Sequence, residues 1–216
     1  MRPSLQALMK KIKRKTVFII GGGTSVENVD FSLLQDELVI CINDAYRDFP
    51  NATAIYWVDD SWASSNYDTL NPHKCKLRFC SKPAQHINYH TKDDPQTVCS
   101  TYVIRRTGEY GFDPTPDCLM GNNSGVQALN LVVNMKPDTV VLIGYDMNIV
   151  NGKTHYHDYE RPPIGPHIYT DLFLPSMKAL YEGMKKEESR VNIINANPNS
   201  AVRCFPFGDY KDSITA

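Results

Sequence analysis

The stretch Thr16-Val-Phe-Ile-Ile-Gly-Gly-Gly-Thr-Ser25 joins an apolar run to three consecutive glycines. The apolar residues are β-branched or aromatic and show no polar alternation, which predicts a parallel strand covered on both faces. The glycines allow a tight turn and a close approach to a ligand, because glycine tolerates positive φ and has no Cβ. The stretch therefore predicts a strand followed by a ligand-binding turn, and a turn that binds nothing is the alternative.

Two hydroxyl residues follow the glycines and indicate the chemistry of that ligand. Thr24 and Ser25 lie at the start of the next segment, where unpaired backbone N–H groups favour an anion. The loop differs from the Gly-x-Gly-x-x-Gly dinucleotide fingerprint because Val26 stands at the third glycine position. It also lacks the Lys-Ser/Thr ending of a P-loop. The sequence thus predicts an anion-binding turn of neither standard type.

The length of 216 residues fits one α/β domain that can bury its core without disulfides or metals. Apolar residues recur at helical spacing beside a run of lysine and arginine, which predicts a basic N-terminal helix over residues 1–15. Residues 16–216 are then expected to form the single α/β domain. Whether that domain assembles into a homo-oligomer is left open.

The charge balance excludes some partners. Lys and Arg total 23 and Asp and Glu total 24, so the net charge of −1 offers no general attraction to nucleic acid or to an anionic membrane. A nucleic-acid contact would have to be local, at the basic cluster of residues 10–15. Six cysteines without a Cys-x-x-Cys pair argue against a zinc knuckle and indicate reduced thiols. No run is apolar enough to span a membrane, so we expect a cytoplasmic protein.

Further apolar runs that predict strands lie at residues 37–43, 54–60, 139–144 and 191–195. Helical patterns occupy residues 121–133 and 171–186. Strands are also predicted at residues 77–81 and 97–104, with no clear helix between residues 64 and 116. The alternation of strand, helix and strand predicts an α/β fold, doubly wound around a mainly parallel sheet, with ligand residues at the carboxyl ends of the strands.

Several polar residues follow these predicted strands or begin the helix. Asn43 and Asp44 follow the second strand, and Asp146 follows the strand at residues 139–144. Asn123 and Ser124 are suited to cap the helix that begins near Gly125, whose N-terminus favours an anion. All of these are candidate ligand contacts, although an asparagine such as Asn43 can equally cap a turn.

Metal ligands are the weaker interpretation of the remaining acids and histidines. Asp59 and Asp60 could hold a metal or a sugar hydroxyl, but they also suit the start of a helix. His155 and His157 could pair with Asp146 or with Asp158. However, histidines two positions apart point to opposite faces of a strand and meet only if the loop curls. We therefore predict no metal site.

Four motifs carry a resemblance to known families, and they span nearly the whole chain: residues 21–34, 41–46, 121–130 with 142–147, and 195–200. With these motifs the chain resembles a family of uncharacterised Rossmann-like proteins encoded by tailed phages and prophages. It is more remotely similar to the bacterial sialyltransferases that use CMP-sialic acid. A pterin diphosphokinase-like family shares the same kind of Rossmann core.

The likeness to the sialyltransferases implies a role for each matching residue. Those enzymes hold the nucleotide donor with a Gly-x-Gly-Pro-Ser loop, a Cys-Asn strand end and a Ser-Gly helix start. A tyrosine-bearing loop surrounds the donor phosphate, and a histidine acts as general base. The nucleotide contacts that the likeness implies are Gly21, Gly23, Ser25, Asn43, Ser124 and Gly125. Their neighbours at the same strand ends and helix start complete the set of predicted nucleotide contacts: Gly22, Thr24, Asp44, Asn123 and Asp146. Gly22 and Thr24 replace the family's asparagine and proline.

The same likeness implies His167 as the catalytic base and Tyr156 as the phosphate-side tyrosine. Asn151, His155 and His157 belong to a polar loop, residues 151–167, that we expect to close over the donor as a lid. The resemblance thus predicts a nucleotide-sugar-dependent glycosyltransferase that needs no cofactor beyond its nucleotide-sugar co-substrate. One alternative is a diphosphokinase-like enzyme that uses ATP and Mg²⁺ held by Asp59, Asp60 or Asp146. Another is a non-catalytic phage protein that binds a nucleotide or a host factor.

Overall fold

The computed structural model describes residues 3–70, 77–81, 100–157 and 165–214. The strands are β1 (Thr16–Ile20), β2 (Val39–Ile42), β3 (Ala54–Trp57), β4 (Leu77–Cys80), β5 (Ser100–Val103), β6 (Arg105–Gly108), β7 (Cys118–Met120), β8 (Thr139–Ile143) and β9 (Asn192–Asn195). The α-helices are α1 (Pro3–Ile12), α2 (Asp60–Leu70), α3 (Ser124–Asn134) and α4 (Leu174–Lys186). Short 3₁₀ segments cover Thr24–Asn28, Phe31–Leu34, Asn43–Arg47 and Tyr210–Ser213, and a π-helix, Ile168–Phe173, leads directly into α4.

The main sheet has seven strands in the order β5-β4-β3-β2-β1-β8-β9, and every neighbouring pair is parallel. The chain leaves β1 on one side through β2 to β5 and returns on its other side at β8. The junction of β1 and β8 is therefore the topological switch point, where open α/β sheets bind their ligands. A small parallel pair, β6 and β7, stands apart from this sheet. The predicted Rossmann-like α/β fold with a mainly parallel sheet is confirmed.

The composition of β1 accounts for its central place in the sheet. Val17 and Ile19 point into one apolar core, and Phe18 and Ile20 point into a second core on the opposite face. All four side chains are fully buried. A strand whose alternate residues enter two different cores has no face left for solvent, so polar alternation is absent.

The predicted basic helix exists as α1, and it is part of the same folded body. Its residues Leu5, Leu8 and Ile12 are buried in the core that contains Val17. Lys10 and Lys11 are exposed at its C-terminal end, and the exposed Lys13 follows it directly. Burying one stripe of a short helix is what stabilises it, because an isolated helix of this length is marginal in water.

The absence of a helix between residues 64 and 116 was wrongly predicted, because α2 runs to Leu70. The buried face of α2 is formed by Trp62, Ala63 and the polar Asn66, so no apolar repeat marks it in the sequence. Asn66 is satisfied there because its amide donates to the Trp62 carbonyl and its Oδ1 accepts from Arg47. The helix predicted at residues 171–186 also begins earlier than expected, because a π-helix that starts at Ile168 leads into α4.

Three further predictions can be compared with the described residues. The strand expected at residues 97–104 is present as Ser100–Val103, while residues 97–99 lie outside the described residues. The cysteines at positions 41, 80, 118 and 204 are free, and Cys75 and Cys99 also lie outside the described residues. Within the described ranges, no helix has the length and apolar character needed to cross a membrane.

Candidate functional site

A cleft of about 240 Å³ opens at the carboxyl ends of β1 and β8, at the switch point of the sheet. Seven described parts of the chain form its walls: the glycine loop after β1, the end of β2, residues 58–59 after β3, the start of α3, the turn after β8, residues 154–155, and the π-helix. The predicted contacts on its surface are Gly21, Gly22, Gly23, Asn43, Asn123, Ser124 and Gly125, joined by the predicted lid residue His155. The remaining predicted residues do not line this cleft.

The glycine loop is packed tightly against the turn that follows β8. A Cβ on Gly21 would stand 2.7 Å from the carbonyl oxygen of Gly144, and one on Gly144 would stand 2.4 Å from Val26 Cγ2. Gly144 also has a φ of 69°. The Gly23 N–H donates to the Gly144 carbonyl at 2.9 Å. Gly21, Gly23 and Gly144 are therefore required first by the contact between the two loops, whether or not a ligand approaches.

Asp146 fixes the glycine loop from behind. Its carboxylate is 2% exposed and accepts from the backbone N–H of Ser25 at 2.8 Å, and from the hydroxyls of Ser25 and Thr24. The side-chain amide of Asn197 donates to it at 2.8 Å. Asp146, Thr24 and Ser25 were predicted as nucleotide contacts, but these donors and this acceptor satisfy one another behind the wall of the cleft. A phosphate would have to find other donors.

Asp44 has a comparable structural position. It is 5% exposed, its Oδ2 accepts from Trp62 Nε1 at 2.8 Å, and its Oδ1 pairs with Arg47 Nε at 2.9 Å. The carboxylate thus ties the 3₁₀ segment after β2 to helix α2. It was predicted to contact the nucleotide, and it does not line the cleft.

The neighbouring Asn43 faces the cleft in an unusual backbone conformation. Its φ is 50°, a left-handed value that asparagine tolerates better than most residues. Its Oδ1 accepts from the Ser124 hydroxyl at 3.4 Å, which joins the end of β2 to the start of α3. Non-glycine residues held in such conformations cluster at ligand sites.

The N-terminus of α3 supplies the clearest anion-binding group in the cleft. Asn123 caps the helix, as predicted, because its Oδ1 accepts from the Val126 N–H at 3.1 Å. Ser124 and Gly125, the first helical residues, line the cleft, where first-turn N–H groups and the helix macrodipole favour negative charge. The helix is rigidly held, since nearly all of its residues are buried.

His155 is the histidine that the fold brings to this wall. A Cβ on Gly22 would stand 2.9 Å from His155 Cδ2, so the ring lies directly over that glycine. Its Nδ1 is 2.9 Å from the hydroxyl oxygen of Thr154. Burial lowers the pKa of His155, and the negative charge of Asp44 offsets part of that effect. A lowered pKa keeps the imidazole neutral near pH 7, the form that accepts a proton.

The next two residues fasten this part of the chain to the rest of the fold. The Tyr156 hydroxyl donates to Asp48 Oδ2 at 2.9 Å, and His157 Nε2 lies 3.3 Å from the same oxygen. This distance is not a hydrogen bond, because His157 Nε2 has no hydrogen-bond partner among the described residues. Burial lowers the pKa of His157, against the opposing charges of Asp48 and Asp44. Both residues stand outside the cleft, as does the exposed Asn151.

His167, the predicted base, is exposed and does not line the cleft. It immediately precedes the π-helix, and its ring packs beside Gly165, where a Cβ would stand 2.7 Å from His167 Cε1. The part of the predicted lid at residues 158–164 lies outside the described residues. Among the histidines of the lid, His155 is therefore the one positioned against the glycine loop.

Sequence reasoning missed the aromatic wall of the cleft. Tyr169 and Phe173 belong to the π-helix and stack edge to face with ring centroids 5.7 Å apart. The Tyr169 hydroxyl donates to the Thr154 carbonyl at 3.1 Å, and burial raises its pKa to about 12. The Asn122 amide donates to the Leu172 carbonyl at 2.8 Å. The π-helix thus holds both the start of α3 and the residue before His155.

No protein-family model and no curated protein matches the chain. The case for a ligand therefore rests on the geometry and the charge of the cleft.

The charge of the cleft is low. None of the described residues that line it is lysine or arginine, and Asp59 is its acidic side chain. Asp59 is exposed, and the Asp146 carboxylate already accepts hydrogen bonds from the glycine loop. The side chains of Asp60 and Asp158 lie outside the described residues. Across the described ranges, no group of three or more His, Cys, Asp or Glu residues is placed to hold a metal ion.

Proposed function

We propose that the protein is a nucleotide-sugar-dependent glycosyltransferase whose donor carries a single phosphate. The observation that carries this proposal is the cleft at the switch point of the sheet, where the N-terminus of α3 faces the glycine loop. The phosphate would bind the first-turn N–H groups of Ser124 and Gly125, and the sugar or base would lie against Tyr169 and Phe173.

The charge of the cleft supports a monophosphate donor over a di- or triphosphate. A helix N-terminus carries the equivalent of about half a positive charge, which suits one phosphate group. Enzymes that bind ATP or a nucleoside diphosphate usually add a lysine, an arginine or Mg²⁺. The described lining residues offer none of these cationic side chains. The diphosphokinase-like alternative is therefore less well supported.

We assign the general base to His155. As the acceptor oxygen forms its bond to the anomeric carbon, its proton would pass to His155 Nε2. The bond between the anomeric carbon and the donor phosphate oxygen would break, and the phosphate would leave with the electron pair. For Nε2 to accept the acceptor's proton, the neutral ring must carry its own proton on Nδ1. That Nδ1–H can donate a hydrogen bond to the Thr154 hydroxyl oxygen, which lies 2.9 Å away.

Thermal-shift measurements test this proposal. A bound nucleotide raises the melting temperature because it stabilises only the folded state. We expect CMP and a CMP-linked sugar to raise it, with UDP-, GDP- and ATP-based ligands giving smaller shifts. Transfer of sugar from the donor to an acceptor, or to water, is then measured with the ligand that binds.

A pair of variants locates the phosphate. Ser124→Asp places a carboxylate at the helix start, where it suits the macrodipole but repels a phosphate. Ser124→Asn has nearly the same shape without the charge. We expect the Asp variant alone to lose the response to CMP. A response only to ATP with Mg²⁺ would favour the diphosphokinase-like enzyme, and tight stoichiometric binding without turnover would favour a non-catalytic protein.

A further inference from the structure

A groove of about 1080 Å³ lies on the side of the sheet where the strands begin, opposite the cleft. The C-terminal ends of α1, α3 and α4 contribute to its walls, together with residues between 112 and 116. These helix ends immediately precede β1, β8 and β9, so the groove lies at the amino ends of the strands. The cleft lies at their carboxyl ends, which means that the two can be occupied at the same time.

The floor of this groove is apolar. Val133 and Met135 are buried beneath it, and Met9, Phe112 and Val191 are half-buried side chains that pack on the same core. A groove with such a floor offers the pockets that apolar anchor residues of a partner fill. Its volume lies at the upper end of the range of about 300–1,000 Å³ that is usual for small-molecule sites.

The rim of the groove is basic. Its exposed cations are Lys10, Lys13, Arg14, Lys136 and Arg190. None of the five forms an ion pair with any of the described side chains. The helix macrodipoles favour cations at these ends, which accounts for their position on the fold. Their charge is nevertheless free to meet a partner.

We propose that this groove binds an extended segment of a partner protein in which acidic side chains alternate with apolar ones. Acidic side chains would meet the five cations, and the apolar ones would enter the floor. The rim also carries the carboxylates Asp138, Glu187 and Glu188. These repel a phosphodiester chain, whose charge is negative throughout, whereas a peptide can place polar or basic residues opposite them. The mixed rim therefore favours a peptide over nucleic acid.

Selection of peptides from a displayed library of random dodecapeptides tests the proposal on the full-length protein. One variant removes the cations of α1 (Lys10→Gln, Lys13→Gln, Arg14→Gln), and a second removes those of α3 and α4 (Lys136→Gln, Arg190→Gln). The matched control removes three exposed cations elsewhere (Lys178→Gln, Arg203→Gln, Lys211→Gln), with the same change in net charge as the first variant. Affinities of the selected peptides are measured by fluorescence anisotropy.

We expect the selected peptides to combine acidic and apolar residues, and to bind each groove variant roughly tenfold more weakly than the control. All three variants should keep the thermal response of the parent protein to nucleotides, so failure of this proposal is distinct from failure of the proposed function. Peptides without acidic residues, or equal affinity for control and groove variants, would overturn it. Stronger binding of an RNA or DNA oligonucleotide with the same residue dependence would also overturn it, in favour of a nucleic-acid surface.

Discussion

The imidazole of His155 lies directly against the α-carbon of Gly22, where a Cβ would stand 2.9 Å from His155 Cδ2. The Tyr156 N–H donates to the Gly22 carbonyl at 3.0 Å, so a backbone hydrogen bond also joins these two chain segments. This contact brings a neutral histidine to the wall that also carries the start of α3. It gives Gly22 a role that the sequence did not indicate.

Replacing Gly22 with alanine should therefore move the His155 ring without unfolding the protein. The new methyl group displaces the ring, and we expect turnover to fall by about tenfold because the base is misplaced. The free energy of unfolding should change by less than about 1 kcal/mol. Gly108→Ala is the control, since its Cβ would meet Met120 at an ordinary 3.5 Å. Equal turnover in both variants would contradict the role of the contact.

Exchanging each histidine for alanine separates the two candidate bases. If His155 accepts the proton, His155→Ala should lower turnover by roughly a hundredfold or more while donor affinity stays nearly unchanged. His167→Ala should have little effect, because His167 is exposed outside the cleft. Steady-state rates and thermal shifts with the donor measure the two quantities. A loss confined to His167→Ala would return the catalytic role to that residue.

Stability should depend on pH through His155 and His157. Burial lowers the pKa of both below the ordinary imidazole value of about 6.5, so the unfolded chain binds protons at a higher pH than the folded one. The free energy of unfolding must then rise with pH up to that ordinary value and level off above it. Urea unfolding at several pH values measures this slope. The variant His155→Gln/His157→Gln should show a shallower slope, and an unchanged slope would assign the effect to other groups.

Asp146→Asn tests the support of the glycine loop. The carboxylate accepts hydrogen bonds from Ser25, Thr24 and Asn197. In the asparagine variant an NH₂ group replaces one of the two oxygens, so it would face some of these N–H and O–H donors and could not accept from them. We expect a loss of about 2–4 kcal/mol in the free energy of unfolding, because buried donors are left without partners. Asp209→Asn is the control, since Asp209 is exposed and caps a short 3₁₀ segment through the Lys211 N–H. Similar losses in the two variants would mean that Asp146 has no special role.

Much of the fold follows from short-range patterns in the sequence. The apolar run before Gly21 determines a strand buried on both faces, and Asn123 determines the start of α3 because its side chain caps a nearby N–H. These features depend on residues a few positions apart, so local chemistry decides them. Helix α2 escaped prediction because its buried face includes Asn66, whose burial is balanced by hydrogen bonds that no apolar pattern reveals.

Residue types and apolar patterns were enough to predict glycines, hydroxyl residues and histidines at the carboxyl ends of strands. Which of these residues face one another depends on how distant parts of the chain pack. Ser25 and Asp146 are 121 positions apart, and they meet because β8 pairs with β1 and not with the strand before it in the chain. His155 and His167 lie in one polar loop, and nothing local distinguishes them. The path of that loop over Gly22 places one of them in the cleft, because long-range packing fixes positions that residue type alone cannot.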